Sequence, residues 1–373
     1  MDQALAPNHR LVAMVRLALT PGIGPRTRLA LLERFGTPEK IFEAPPSQLR
    51  ETPGVGAKLC NRLVAAKEEI DAAGEIAYCR QHGIALITQN DPAYPRALQE
   101  IYDPPGLLFV RGQLRPSDTL SIAIVGTRHA TPYGLRIAER LAGGLSRAGL
   151  TIVSGLARGI DAAAHRGALN ANGRTIAVLG SGVTNVYPPE HREFADQVAQ
   201  NGAVLSELPP RAAPLAGTFP QRNRIITGMT LGVIVVEAAE RSGALISAQH
   251  AMEQGREVFA VPGPVDSRTS RGCHRLLRDG ARLVESVDDI LEELGPLVEA
   301  TPVDDGRTVH HAAELSLNEI EKQVLDAIQS SATAIDHIVE VTRLSVPQIL
   351  ATLSVLEMRR LIRRLSGTMV MRL

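Results

Sequence analysis

Cysteine is scarce in this chain of 373 residues, and the three present, Cys60, Cys79 and Cys273, are scattered. Their spacing matches neither a metal-ligand set nor an even disulfide framework, so a reduced, cytoplasmic compartment is expected. Long apolar runs are missing as well. None approaches the roughly 18 residues that span a bilayer, so no membrane association is expected. The first residues, MDQALAPNHR, lack a basic stretch followed by an apolar block, so no secretory signal is expected either. Lysine is nearly absent, limited to Lys40, Lys58, Lys67 and Lys322. Net charge is absent altogether, with 40 basic residues against 40 acidic ones, which by itself argues against a polyanionic partner.

What is present qualifies that last exclusion. Arginine supplies almost all the positive charge, and its planar fork matches phosphate and stacks on bases as lysine does not; a GC-rich genome gives the same bias. The charge is also uneven. From Glu285 to Glu321 there are 11 acids and one base, Arg307, whereas Arg128 to Asp279 holds 17 arginines and 12 acids. With 44% hydrophobic and 21% charged residues the chain is globular, and its length predicts two or three domains.

Residues 1–80 read as helices joined by Gly/Pro turns. Residues 83–295 alternate short apolar runs (Ile122–Val125, Thr151–Val153, Thr175–Leu179, Val204–Leu205, Gly232–Val236, Val258–Val261) with helical patterns (Tyr133–Arg147, Ile160–Asn170, Arg192–Asn201, Arg222–Thr230, Ala244–Gln254). Such alternation predicts βαβ units in an α/β doubly wound parallel sheet, with Ala85–Thr88 and Leu107–Val110 as further strands. A Pro-containing acidic stretch over 296–315 reads as a linker to a compact unit at 316–373.

Two segments of the N-terminal part share one pattern, Pro21-Gly22-Ile23-Gly24-Pro25 and Pro53-Gly54-Val55-Gly56-Ala57. Glycine, an apolar residue and glycine before a helix is the helix-hairpin-helix signature, in which free N–H groups can approach a phosphate. A plain packing module fits equally well, since only Arg26, Arg28 and Lys58 lie nearby. In the middle region the strand-end loops read Gly126-Thr127-Arg128, Ser154 to Gly159, Gly180-Ser181-Gly182, Phe219 to Arg224, and Arg241-Ser242-Gly243-Ala244. Glycines, helix N-termini and arginines converging on one rim make an extended anion site. No loop carries a dinucleotide fingerprint, so no cofactor is expected.

The strings SGLARGIDAAAH (Ser154–His165), IVGTR (Ile124–Arg128), TIAVLGSG (Thr175–Gly182), FPQRNRII (Phe219–Ile226) and SGALISA (Ser242–Ala248) resemble the DNA-processing protein A family, DprA/Smf. Tyr94-Pro95, Pro104-Pro105 and Val261-Pro262-Gly263 extend the resemblance over nearly the whole chain. It implies an extended Rossmann-like sheet flanked by an N-terminal helix-hairpin-helix (SAM-like) domain and a C-terminal winged helix. It further implies a non-enzymatic single-stranded DNA-binding protein, usually a dimer, that protects incoming DNA in natural transformation and loads RecA onto it. Carried over by motif, Arg128, Ser154, Gly155, Arg158, Gly180, Phe219, Arg222, Asn223 and Arg224 line the DNA pocket.

The residues themselves agree with this reading. Single-stranded DNA offers phosphates to a basic groove and splayed bases to rings or guanidinium planes. Phe219 with Arg222 and Arg224 supplies one stacking ring and two forks within six positions. Two cations at a helix N-terminus oppose its dipole and ask for an anion; Arg158 sits similarly. Core packing is the other use of a Phe before Pro. Asp161 and His165, four apart on one helix face, suit an acid–base pair less well than a capping Asp and a packing His. A Rossmann-like nucleotide N-glycosidic hydrolase is the rival function. The PGGxGTxxE string of such enzymes is absent, with only Glu237 as an echo. His310-His311 lacks partners for a metal.

At the C-terminus, Ser316-Leu317-Asn318-Glu319 reads as a capping box opening a helix to about Gln329. Helices around Ile335–Val341 and Val346–Arg360 follow, then a hairpin turning at Ser366-Gly367: a winged helix. Arg359, Arg360, Arg363, Arg364 and Arg372 follow the last acid, Glu357. They serve either DNA contact or a protein-interaction module whose arginines answer the acidic stretch. That stretch is also expected to restrain indiscriminate DNA binding.

Overall fold

A computed structural model describes residues 9–294, 296–302, 308–366 and 368–373. Its centre is a nine-stranded mixed sheet. The strands are β1 (Ile84–Thr88), β2 (Leu107–Gly112), β3 (Ser121–Val125), β4 (Thr151–Ser154), β5 (Thr175–Val178), β6 (Gly202–Ser206), β7 (Gly232–Val235), β8 (Glu257–Ala260) and β9 (Arg282–Leu283). Their order is β1-β2-β6-β5-β4-β3-β7-β8-β9. From β6 to β9 neighbours run parallel, while β2 is antiparallel to β6 and β1 to β2.

Every residue of β3 to β7 is buried, because helices cover both faces. Ile122, Ile124 and Ile152 point into one layer with helices Pro132–Arg147 and Ile160–Asn170. Val125, Val233 and Val235 point into the other with helices Thr218–Gly228 and Gly243–Glu253. The chain steps outward from β3 to β6, then returns through helix Thr218–Gly228 to place β7 on the opposite side of β3. Connections after β3 and β7 therefore leave in opposite directions and open a crevice above the carboxyl ends.

That returning helix starts four residues before the expected Arg222. Gly217 precedes it, and the Thr218 hydroxyl at its first position donates to the Gly180 carbonyl. Arg222 and Arg224 consequently lie in its second turn, not at its N-terminus. The N-terminal helices Pro25–Phe35 and Ala57–Glu69 begin directly after Gly24 and Gly56. Gly22 and Gly54 make the preceding turns at φ +92° and +84°, a region glycine enters freely. Leu31, Ile41, Leu49 and Leu63 form a small core of their own there.

Within the stretch read as a linker, the described residues include two paired strands. β10 (Pro296–Pro302) pairs antiparallel with β11 (Thr308–His311), and Ala312 is buried in the core beneath the central sheet. Alternating burial of Val309 and His311 is the pattern that the surrounding charge concealed. Residues 303–307, with Asp304, Asp305 and Arg307, lie outside the described residues.

The winged helix consists of helices Glu319–Asp326, Ile335–Thr342 and Val346–Met358 with β12 (Thr333–Ala334), β13 (Ile362–Ser366) and β14 (Met369–Arg372). These strands form a sheet in the order β12-β14-β13. The capping box is shifted by two residues from Ser316/Glu319. The Glu321 N–H donates to Asn318 Oδ1 and the Asn318 N–H to Glu321 Oε2, both at 2.9 Å. Gly367 of the expected turn lies outside the described residues.

Candidate functional site

A cleft of about 730 Å³ lies above the carboxyl ends of β3 and β7. Arg128 and His129 come from the β3 side, Arg241 to Gly243 from the β7 side, and Phe219 and Asn223 from the returning helix. Arg128 is exposed, and its guanidinium carbon lies 5.3 Å from the centre of the Phe219 ring. The Tyr187 ring centre lies 5.6 Å from that of Phe219, with the two planes tilted by 52°. Among the described residues neither Arg128 nor Arg241 has a carboxylate within ion-pair distance, although both are exposed.

Gly180 lies against Phe219; a Cβ there would lie 2.8 Å from Phe219 Cδ1, so the ring approaches the loop this closely because the residue is glycine. Gly155 plays a similar part at the end of β4, where the Arg222 guanidinium occupies the space a side chain would fill. Arg222 is 5% exposed. Its Nη1 donates to the carbonyl of Gly155 at 2.8 Å and also to that of Val178, tying the β4 and β5 loops to the helix. Burial pulls its pKa down to about 10, partly offset by Asp161. Asp161 accepts from the N–H groups of Gly155 and Ala157 at 3.2 and 3.4 Å; burial raises its pKa and Arg222 opposes the rise.

Several expected site residues therefore act from behind the cleft. Arg224 is 4% exposed and turned away, paired with Asp103 at 3.1 Å and Glu207 at 2.6 Å. Its side chain belongs to a buried network, so the expected phosphate fork is an interior ion pair; the anion asked for by the sequence is carboxylate. Arg222 is likewise committed to carbonyl oxygens. Ser154 is fully buried, and its hydroxyl donates to the Ile124 carbonyl at 2.6 Å, stitching β4 to β3. Arg158 is half exposed at the edge of the site and ion-paired with Glu190. Asn223 lines the cleft and donates to the Gly243 carbonyl at 3.4 Å.

One residue at this site, Tyr187, was not singled out from the sequence, whereas Arg241 stands in a strand-end loop already read as part of the anion site. Tyr187 stands in Val-Tyr-Pro-Pro just after the Gly180 loop, and an aromatic within a Gly/Pro-rich strand-end loop was the available signal. In the N-terminal domain Arg28 donates to the Pro104 carbonyl instead of facing a free surface, and burial lowers its pKa. Groups that a hydrolase would need are also engaged. Glu237 is buried and accepts from the Thr131 N–H and hydroxyl at 2.9 and 2.6 Å. His165 is fully buried with Nδ1 2.7 Å from the Thr175 hydroxyl, and burial drives its pKa down to about 3. His311 accepts from the Ala313 N–H at 3.1 Å within its own turn.

The profile of the family described as DNA recombination-mediator protein A matches residues 85–295, more than half the chain. The chain belongs to this DNA recombination-mediator family. Profiles for the DprA winged helix domain and for a SAM-like helix-hairpin-helix tandem match residues 309–368 and 16–68. Protein Smf of Synechocystis is 35% identical, over 93% of this chain and 94% of that protein. The DNA processing protein DprA of Streptococcus pneumoniae is 47% identical over 54% of this chain and 72% of its own. Its X-ray structure covers 76% of this chain and 97% of that one with a TM-score of 0.66 at 37% identity. DNA processing protein A from Helicobacter pylori, whose structure describes a single-stranded DNA binding mode, covers 55% of this chain and 93% of that one. The TM-score is 0.50 at 31% identity. Among the described residues of this family member, no single helix is long and apolar enough to cross a membrane.

Proposed function

We propose that this recombination mediator binds single-stranded DNA in the cleft between β3 and β7, without catalysing a reaction, and hands it to the RecA recombinase during transformation. The observation that carries the reading is the Arg128–Phe219 pair with Tyr187 beside it: an exposed guanidinium with no carboxylate within ion-pair distance among the described residues, laid over a ring in the cleft. A base slides against such a ring, while Arg128 and Arg241 meet the flanking phosphates. Glycines at the ends of β4 and β5 admit Arg222 and Phe219, so that the Arg222 clamp holds the loops behind the Phe219 ring. Because every base has a π-face and phosphate is invariant, sequence preference is slight and affinity falls with salt. The transfer to RecA is supported by the family's description as recombination mediators, and a homodimer by the sequence resemblance.

Fluorescence anisotropy with an unstructured oligonucleotide tests the cleft. Base–aromatic stacking contributes about 1–3 kcal/mol per base, so Phe219→Ala weakens binding by about tenfold to a hundredfold. The double variant Arg128→Ala/Phe219→Ala weakens it further and keeps a wild-type melting curve. Unchanged affinity in the folded double variant refutes the site.

A further inference from the structure

The loop over residues 126–131, between β3 and the helix Pro132–Arg147, carries Arg128 into the cleft, and both of its ends are fastened to one residue. That residue is Glu237, which follows β7. Its carbonyl accepts from the Thr127 N–H at 2.7 Å, at the near end of the loop. Its carboxylate accepts from the Thr131 N–H at 2.9 Å and from the Thr131 hydroxyl at 2.6 Å, at the far end. The Thr269 hydroxyl donates to the same carboxylate at 3.3 Å. The near end has a second tie, from the Ile160 N–H to the Thr127 carbonyl at 3.2 Å. At the far end, among the described residues, the Thr131 N–H has no acceptor besides Glu237. Room for the carboxylate is made by Gly134, where a Cβ would collide with Glu237 Oε2. Glu237 is 3% exposed and has no ion pair among the described residues, so hydrogen bonds and the N-terminus of the helix Pro132–Arg147 meet its charge.

We propose that Glu237 is a positioning residue for single-stranded DNA: by holding both ends of the 126–131 loop it keeps the Arg128 guanidinium over Phe219, where it meets phosphate. The proposal rests on the cleft reading and names what keeps that cleft in its binding shape. A mobile loop must be ordered when the strand arrives, at a cost in affinity, whereas a loop fixed beforehand has already lost that freedom. Glu237 does not touch the strand itself. It is buried behind the loop and contributes nothing to the cleft lining, so its charge is kept away from the phosphates while its bonds reach the arginine that meets them. An apolar side chain could fill the same space, but it would strand the Thr131 N–H and free the far end of the loop.

The experiment is a double-mutant cycle on the full chain, read by fluorescence anisotropy with an oligothymidylate over a range of salt concentrations. Each lost phosphate contact on a single strand lowers the slope of log affinity against log salt by about 0.7. Arg128→Ala loses about that amount and Glu237→Ala loses the same. Arg128→Ala/Glu237→Ala loses no more than either alone, because the second residue acts through the first. Glu237→Gln recovers the slope: its amide oxygen accepts from the Thr131 N–H while its NH2 group donates to the Thr131 and Thr269 hydroxyls. A residue that only stabilised the fold would lower the melting temperature and leave the slope alone. Gly134→Ala displaces the carboxylate without altering it and lowers the slope as Glu237→Ala does, which decides the matter if Glu237→Ala does not fold. A wild-type slope in folded Glu237→Ala or Gly134→Ala overturns the positioning role. So does a Glu237→Gln slope as low as that of Glu237→Ala, or a full further loss when Glu237→Ala is added to Arg128→Ala. A wild-type slope in Arg128→Ala overturns the cleft reading instead, and the positioning role with it.

Discussion

Two regions of this molecule are rich in arginine, and they use it in opposite ways. Around the cleft, Arg128 and Arg241 are exposed and have no carboxylate within ion-pair distance among the described residues. In the winged helix three of the five clustered arginines are answered. Arg372 meets Glu314 at 2.6 Å and Asp326 at 3.9 Å, Arg359 meets Glu321 at 3.9 Å, and Arg364 meets Glu357 at 3.0 Å. Glu314 and Glu321 come from the acidic stretch, so that segment neutralises the hairpin from within the same chain. The third helix of the unit, Val346–Met358, carries no cation and exposes Val346, Leu350 and Met358. A helix that enters a DNA groove is normally accompanied by cations for the phosphates, and this one offers only the neutral exposed donors Gln348 and Ser354. The difference teaches that pairing, more than the number of arginines, separates an anion site from a structural one.

Breaking an interior pair gives the largest expected effect. Arg224→Ala strands Asp103 and Glu207 beside each other, and loss of one buried partner destabilises by about 3–5 kcal/mol. Urea melts read this, and Arg224→Ala/Asp103→Asn recovers part of the loss. Arg128→Ala leaves the melt unchanged, which is the contrast between buried and rim arginines in one assay.

Next in size is a pH effect carried by His165. Its folded pKa, about 3, lies below the ordinary 6.5, so the folded protein holds it neutral. The unfolded chain takes up a proton first, and the stability this contributes is whole above pH 6.5 and is lost as pH falls toward 3. The slope reaches about 1.4 kcal/mol per pH unit in that window. His165→Asn removes that component of the slope in melts between pH 7 and 5; an identical slope in the variant contradicts the assignment. The smallest effect belongs to the winged helix: Arg372→Ala, whose charge Glu314 already meets, removes no phosphate contact and changes single-stranded DNA affinity by less than about twofold.

Much of the central sheet could be read from the residues, since β-branched runs buried on both faces and amphipathic helices leave distinct periods in sequence. Helix Ile160–Asn170 lies where its pattern placed it. The start of helix Thr218–Gly228 was not legible, because Thr218 is anchored by the Gly180 carbonyl from another loop. For the same reason Arg224 looked like a free cation: its partners, Asp103 and Glu207, lie far away in the chain and meet it only after folding. Phe219 and Arg128 were found through motifs, whereas Tyr187 had no motif around it. In the acidic stretch the charges masked a strand whose inward residues are Val309 and His311.

The difference between the two arginine regions is tested most directly by the salt dependence of binding. Arg128→Gln and Arg372→Gln are compared with the unaltered protein on one oligonucleotide over a range of salt concentrations. Each phosphate contact on a single strand contributes about 0.7 to the slope of log affinity against log salt. Arg128→Gln lowers the slope by about that amount and Arg372→Gln leaves it unchanged. Equal slopes for Arg128→Gln and the unaltered protein, or a drop in Arg372→Gln, contradict the account.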